Sequence, residues 1–253
     1  MRAALALVLL ATPALGGVAE AVEEHVLPGV AAFAEATATL ARAAEADCTA
    51  EALRPAYLAA WEAWAPIADL RIGPSEAAAL TIAYWPDERG AGARTIRSLL
   101  AAEDPAGRDP AAFAEVSAAA RGFPALDLLL GDPDLSGYGP GSYACDLVRS
   151  AALDLAAQAA GLAGAWPAEA AALTTAGGDG NARYLAADEA FRALYTQLVS
   201  GLEFTADARL GRPLGEPGRP RPTRAEAWRS GRPLPNALAS AEAAVRVATL
   251  LAD

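Results

Sequence analysis

Residues 122–132 read GFPALDLLLGD, and this stretch says more about the fold than any other part of the sequence. A helix built on it is apolar on every side, which is typical of a helix buried in a protein core. Asp127 shares one helical face with Phe123 and Leu130. A buried carboxylate is costly unless it is paired, hydrogen-bonded or protonated. Asp127 is therefore either a site carboxylate in a cleft or one half of an internal ion pair with an arginine.

Helix signals extend outward from this stretch in both directions, whereas strand signals are missing. Alanine, which favours helix, dominates a hydrophobic content of 54%. The caps and breakers predict helices over residues 18–46 (kinked at 28–29), 49–71, 75–85, 93–102, 109–130 (interrupted near 122–124), 142–162, 181–208 and 235–251. A loop is predicted over 209–222, followed by a short helix that a capping box of Thr223 and Glu226 begins.

Residues 132–141 are rich in proline, glycine, aspartate and serine, which favours a boundary between two halves. We therefore predict an all-α fold of two packed helical bundles, with residues 17–131 and 132–253 as its two parts.

The N-terminus has the pattern of an export signal over residues 1–16. Arg2 precedes an apolar stretch over residues 3–11, and small residues at 14–16 offer a cleavage site. The apolar stretch is too short to span a bilayer, and no later stretch is long and charge-free enough to do so. No cysteine follows the signal to carry a lipid anchor. We expect a periplasmic or otherwise exported protein with no membrane span in the mature chain.

Two cysteines, Cys48 and Cys145, are the only ones in the chain. In an oxidising compartment they are candidates for a disulfide that would close a loop of almost a hundred residues. Such a bond contributes roughly 3–5 kcal/mol in the chain-entropy model. The alternative is two unpaired buried thiols.

Composition excludes several function classes. The formal net charge is −11, which repels nucleic acid, so no nucleic-acid partner is expected. All 20 basic residues are arginine. Without lysine, the chain cannot form a Schiff base, a lysine-containing phosphate loop or a Ser–Lys dyad.

Several short blocks follow one another in a specific order. They are residues 61–64 leading to 71–74, 84–87, 122–132, 143–145, 209–215 and 226–231. In these blocks the chain resembles the imelysin family (imelysin-like, or peptidase M75-like, proteins) over most of its mature length. The resemblance implies an all-helical fold of two bundles, a periplasmic or cell-surface location and a link to iron uptake.

The family carries a Gly-x-His-x-x-Glu motif, once taken as metallopeptidase-like, near the junction of its bundles. Laid onto this sequence, the glycine is Gly122, the histidine falls on Pro124 and the glutamate on Asp127. A proline nitrogen in a peptide has no free lone pair to bind a metal. His25, the only histidine, is expected to be solvated or lightly packed. Carboxylates alone suit iron or another hard cation better than zinc, so Asp127 is the one metal-ligand candidate and zinc is disfavoured.

Arginine is concentrated near the C-terminus. Seven arginines lie within 24 residues, at positions 209, 212, 219, 221, 224, 229 and 232. They form either an anion-binding surface or internal ion pairs with the chain's own carboxylates, Asp127 included. The candidate ligand-binding residues are Gly122, Pro124, Asp127, Arg71, Arg209 and Arg221.

Three functions fit these patterns. The first is a non-catalytic binding or accessory protein linked to iron uptake, with a metal or a small anion as ligand and a periplasmic or outer-membrane protein as partner. The second is a metallopeptidase. The third is an interaction module whose ancestral site has decayed. The proline at the histidine position argues against the second and does not separate the other two.

Overall fold

The fold is all-α, as predicted. The computed structural model describes residues 17–252, and no strand occurs in that range. The helices are α1 (Val18–Ala21), α2 (Leu27–Ala46), α3 (Ala50–Trp64), α4 (Pro74–Ile82), α5 (Ala91–Ala102), α6 (Pro110–Phe113), α7 (Gly122–Gly131), α8 (Tyr143–Thr174), α9 (Ala187–Phe204), α10 (Arg212–Leu214) and α11 (Pro233–Ala252). The predicted export signal over 1–16 lies outside the described residues.

The core forms around α7. Residues 125–130 of this helix are all buried, and α7 packs between α3 and α8. The Phe123 ring stacks on Trp61 with centroids 4.1 Å apart and meets the edge of Tyr57. Gly122 starts the helix at φ 62°, and a β-carbon there would collide with the Ile82 carbonyl oxygen. Only glycine therefore lets α7 begin this close to the end of α4.

Two groups of helices pack together. The larger group contains α2, α3, α7 and α8, in which α8 lies mainly along α2. In the smaller group α9 packs against α11, and α1 contacts both. The connection over residues 132–142 leads from α7 to α8, and the division of the chain at residue 132 stays a prediction.

The predicted disulfide is confirmed. Cys48 and Cys145 form a disulfide, and their Cα atoms are 5.4 Å apart. The two cysteines are separated by 97 residues in the sequence. The bond joins the residues just before α3 to the first turn of α8. Ser142 caps that turn, because its Oγ accepts a hydrogen bond from the Cys145 amide at 3.2 Å.

Several helix boundaries differ from the prediction. The first helix is interrupted by a π-helical turn over Val22–Val26, one turn before the expected kink, because Pro28 has no N–H to donate to the preceding turn. Helix α4 begins at Pro74, since the Ser75 hydroxyl accepts a hydrogen bond from Trp166 Nε1 at 2.9 Å instead of capping. It ends at Ile82, before Trp85.

The helix predicted over residues 109–130 is divided into the short helices α6 and α7, with a 3₁₀ turn at Ala118–Ala120 between them. Helix α8 runs to Thr174, beyond the expected end at Leu162. Helix α9 starts at Ala187 because the Asn181 side chain closes a turn, accepting hydrogen bonds from the amides of Arg183 and Tyr184.

The C-terminal segment also differs. The predicted loop over 209–222 begins inside a helical segment, since Thr205–Gly211 forms a π-helix that continues α9. The capping box of Thr223 and Glu226 does not start a helix, because the Glu226 carboxylate accepts a hydrogen bond from Arg209 instead. Within residues 17–252, no helix is long and apolar enough to cross a membrane.

Candidate functional site

A cavity of about 480 Å³ opens beside the N-terminal half of α7. Three parts of the chain contribute to its lining: residues 83–93, residues 119–128 and residues 212–229. The second of these parts includes the start of α7 and the turn that precedes it. Trp61 of α3 also lines it. The lining combines aromatic rings, carboxylates and guanidinium groups, namely Trp61, Tyr84, Trp85, Asp87, Glu88, Asp127, Arg212, Arg224, Glu226, Trp228 and Arg229. A cavity of this size matches the usual range for small-molecule sites.

Asp127 lies in the cavity lining and is 5% exposed. Its Oδ1 accepts hydrogen bonds from the Ser230 main-chain amide, at 3.0 Å, and from the Ser230 hydroxyl. The turn that carries Ser230 can approach α7 because residue 131 is glycine: a β-carbon on Gly131 would lie 2.8 Å from Arg229 Cβ. Sequence positions 103 residues apart are thus held in direct contact.

The Asp127 carboxyl has a raised pKa and no close counter-ion. Burial raises its pKa above the ordinary 3.8, and the hydrogen bonds from Ser230 and the charge of Arg229 only partly offset this. Arg229 Nη1 lies 3.8 Å from Asp127 Oδ2, which is longer than the about 2.7–2.9 Å of a charge-assisted hydrogen bond. Asp127 is therefore buried with a distant counter-ion.

Arg229 is only loosely paired within the protein. Its guanidinium lies over the Trp228 ring, 4.4 Å from the centroid, and its side chain is 22% exposed. Its Nε atom is buried without a hydrogen-bond partner, and the nearest carboxylate oxygen to that atom, on Asp132, is 3.5 Å away. Asp132 in turn accepts a hydrogen bond from Arg97 at 3.1 Å. Arg229 therefore faces the cavity with donor capacity to spare.

The other carboxylates of the lining already have partners. Asp87 accepts hydrogen bonds from the amides of Ala91 and Gly92, at 3.0 and 2.8 Å, and so caps α5. Glu88 pairs with Arg212 at 3.0 Å. Glu226 accepts a hydrogen bond from Arg209 Nε at 3.2 Å. These contacts tie the acids to the protein and leave the cavity less anionic than its composition suggests.

Arg209 belongs to a buried network behind the cavity. Its two Nη atoms hydrogen-bond both carboxylate oxygens of Asp69, at 2.9 and 3.0 Å, and Nη1 also reaches the Thr205 hydroxyl. With Glu226 on Nε, the guanidinium is satisfied on all sides, and its side chain is 2% exposed. This arginine ties α9 to the residues after α3.

The structure brings together only part of the predicted site. Pro124 and Asp127 line the cavity, whereas Gly122 is buried at the start of α7 and is not in the lining. Arg71, Arg209 and Arg221 do not line it either. Arg71 donates from Nε to the Ala68 carbonyl at 3.0 Å, and the exposed Arg221 donates from its main-chain amide to the Pro213 carbonyl.

Four arginines of the C-terminal cluster form ion pairs, as the second interpretation of the cluster expected. Arg209 pairs with both Asp69 and Glu226. Arg212 pairs with Glu88, and Arg232 pairs with Glu62. Arg229 pairs loosely with Asp127. Sequence reasoning did not single out Arg229, Trp85 or Trp228 as site residues. Arg229 appeared there as one of the seven clustered arginines and, with Trp228, in the block over residues 226–231.

The residues at this site do not fit a metal centre. Pro124 supplies no ligand atom, Asp127 is held by Ser230, and Asp87 and Glu226 serve other partners. Within residues 17–252, no three side chains of histidine, cysteine, aspartate or glutamate are grouped to hold a metal ion. His25 lies elsewhere, with Nε2 3.1 Å from the Pro66 carbonyl oxygen. It is 7% exposed, so of the expected solvated or lightly packed states the solvated one is wrong.

Comparison with known proteins identifies relatives of the chain. The family model described as Peptidase_M75, Imelysin, matches residues 26–253. The crystal structure of an imelysin-like protein from Psychrobacter arcticum 273-4 is similar in fold, with a TM-score of 0.66 and 23% sequence identity. The similarity covers 92% of this chain and 71% of that one. No curated protein matches the chain.

Proposed function

The chain belongs to the imelysin family, and we propose that it is an exported binding protein linked to iron uptake, without catalytic turnover. The cavity around Pro124, Asp127 and Arg229 is its ligand site. One observation carries this proposal: both motif positions at which the chain departs from the family pattern, Pro124 and Asp127, line one cavity of ligand size. The link to iron comes from the resemblance.

The donor set supports binding rather than hydrolysis. A hydrolytic metal centre needs several protein ligands and an open coordination position. Here proline occupies the histidine position, and the remaining carboxylates are bound to Ser230, to the start of α5 and to Arg209. Groups held in this way can shape and charge a cavity, which supports a binding role.

Export is supported by two features. The Cys48–Cys145 bond is typical of an oxidising compartment, and the first sixteen residues have the pattern of an export signal. Expression in a bacterial host followed by fractionation tests this part. The proposal expects the mature, disulfide-bonded chain in the periplasmic fraction, and accumulation of full-length chain in the cytoplasm would contradict it.

Calorimetric titration with ferric citrate, ferrous iron and metal-free citrate tests the ligand site. We expect saturable binding of an iron-containing probe with a dissociation constant on the order of 1 μM. The cavity-filling variant Ala93→Trp should weaken this binding at least about tenfold. Its matched control is Ala101→Trp, on an exposed position of the same helix, which should bind like the wild type. Failure of every iron-containing probe to bind would overturn the iron link.

The peptidase alternative is tested on unfolded casein. We expect no cleavage above background with or without added zinc. Chelator-sensitive cleavage that Ala93→Trp removes and Ala101→Trp retains would replace the binding role with a metallopeptidase role.

A further inference from the structure

We propose that Arg229 holds an oxyanion of the ligand, a carboxylate or a phosphate group, and that Asp127 is the counter-ion which this group displaces. The inference rests on the proposed function, because it names the chemical class of ligand for the same cavity. It differs from the expectation for the motif, in which the acid at position 127 is the group that contacts the ligand.

The first argument is the state of the Arg229 guanidinium. Arginine carries five N–H donors in a planar fork that matches an oxyanion. The Nε of Arg229 is buried and has no hydrogen-bond partner, and its closest carboxylates are 3.5 and 3.8 Å away. An unpartnered donor inside a protein is costly. The Nη groups of this partly exposed side chain make no hydrogen bond within the described residues, and they are the donors that an oxyanion in the cavity can reach.

The second argument is that the Arg229 side chain is held in position although its donors make no hydrogen bond within residues 17–252. Its guanidinium is supported from one face by the Trp228 ring, 4.4 Å from the centroid. The close approach at Gly131 and the bonds from Ser230 to Asp127 fix the turn on which Arg229 sits. The side chain therefore has a set position while its donors remain uncommitted, which is the arrangement expected of a preformed anion site.

The third argument is the charge of the lining. Arg212 and Arg224 also line the cavity, and Arg212 Nε is a second buried donor without a partner. Against them, Asp87 is neutralised by the start of α5 and Glu226 by Arg209. Asp132 is shared with Arg97. Asp127 is the carboxylate that competes directly with an incoming anion for Arg229.

The fourth argument concerns the body of the ligand. Trp61, Tyr84, Trp85 and Trp228 all contribute to the lining, so flat apolar surfaces flank the guanidinium groups. Such a lining favours a flat ligand with an acidic group. Benzoate and phenyl phosphate reproduce this chemistry, and benzamide is the neutral isostere of benzoate.

The experiment is calorimetric titration of the full chain with these three probes at constant ionic strength. We expect benzoate or phenyl phosphate to bind at least tenfold more tightly than benzamide, and the tighter of the two identifies the acidic group. Arg229→Gln should reduce the affinity for that probe to the level of benzamide, and Arg229→Lys should give an intermediate value because it keeps the charge and loses the fork. Asp127→Asn should bind as tightly as the wild type or more tightly.

Controls separate this inference from general electrostatics and from misfolding. Arg219→Gln removes an exposed arginine outside the lining and should leave the affinity within twofold. Each variant should keep the circular dichroism spectrum and thermal transition of a folded protein.

Several results would overturn the inference. Equal binding of benzoate and benzamide would leave the cavity as the ligand site and remove the role of Arg229. Loss of oxyanion binding in Asp127→Asn would make the carboxylate the anchor. Oxyanion binding that Ala93→Trp does not weaken would place the anion outside the cavity. Failure of both acidic probes to bind the wild type would also end it, while the ferric citrate titration would still decide the proposed function.

Discussion

Arg209 and Arg229 are the centres of two clusters that are similar in composition and differ in geometry. Each arginine lies over an aromatic ring, Phe204 or Trp228, and each has two carboxylates near it. Arg209 makes hydrogen bonds of 2.8–3.2 Å from all three nitrogens, whereas the carboxylates around Arg229 stay at 3.5 and 3.8 Å. The difference separates an arginine that holds the protein together from one that is available to a ligand.

The largest expected effect is the loss of the Arg209 cluster. Arg209→Met leaves Asp69 and Glu226 without their shared cation, and removing one partner of a buried ion pair costs about 3–5 kcal/mol. Urea denaturation at pH 7 should show a decrease of this size in the free energy of unfolding. The matched variant Arg229→Met should change it by less than about 1 kcal/mol, because that guanidinium makes no short contact to lose. Equal losses in the two variants would erase the distinction between the clusters.

A smaller effect is expected from the contact that positions Arg229. Gly131→Ala places a methyl group 2.8 Å from Arg229 Cβ, so the turn must move away from α7. Overpacking of this kind costs about 1–3 kcal/mol. Gly161→Ala in α8 is the control, since nothing lies within 4 Å of its new methyl group, and it should gain about 0.5–1 kcal/mol from lower chain entropy. An unchanged free energy of unfolding in Gly131→Ala would mean that the turn is loosely held.

The smallest effect is a pH dependence at the Arg229 cluster. Because burial raises the pKa of Asp127, the folded chain holds this proton more tightly than the unfolded chain does. Its stabilising contribution is complete below the ordinary pKa of 3.8 and is lost as pH rises through the folded pKa. The wild type should therefore lose stability relative to Asp127→Asn between about pH 4 and neutrality.

Urea denaturation of the wild type and Asp127→Asn across this pH range measures the difference. The opposite slope, with the wild type gaining stability as pH rises, would show that the Asp127 carboxylate is firmly ion-paired in the folded chain.

The sequence was sufficient for the core and insufficient for the site. The apolar run around Asp127 predicts a buried helix, and the two cysteines leave one possible internal pairing; both outcomes depend on local pattern or on simple counting. The extension of α8 past Leu162 was missed because Gly161, Gly164 and Pro167 suggest a stop, yet packing keeps the helix intact. Local propensity was overridden there by tertiary contacts.

The site depends on pairings that local pattern does not contain. Ser230 meets Asp127 across 103 residues, and Arg209 meets Asp69 across 140. Glu226 had the spacing of a capping box, but a buried guanidinium is a stronger partner for its carboxylate than a helix amide. These distant carboxylates decide which of the seven neighbouring arginines form structural ion pairs and which keep free donors for a ligand.

The Cys48–Cys145 bond makes residues 48–145 a covalent ring and leaves the rest of the chain linear. The cavity is divided by this topology. Trp61, Trp85 and Asp127 lie within the ring, whereas Arg212, Trp228 and Arg229 lie on the linear tail. A peptide-bond cut inside the ring would leave both fragments joined, but a cut in the exposed segment 216–221 would leave the tail attached by non-covalent contacts alone. The two sides of the cavity therefore meet through non-covalent contacts, and only the main chain between residues 145 and 212 joins them covalently.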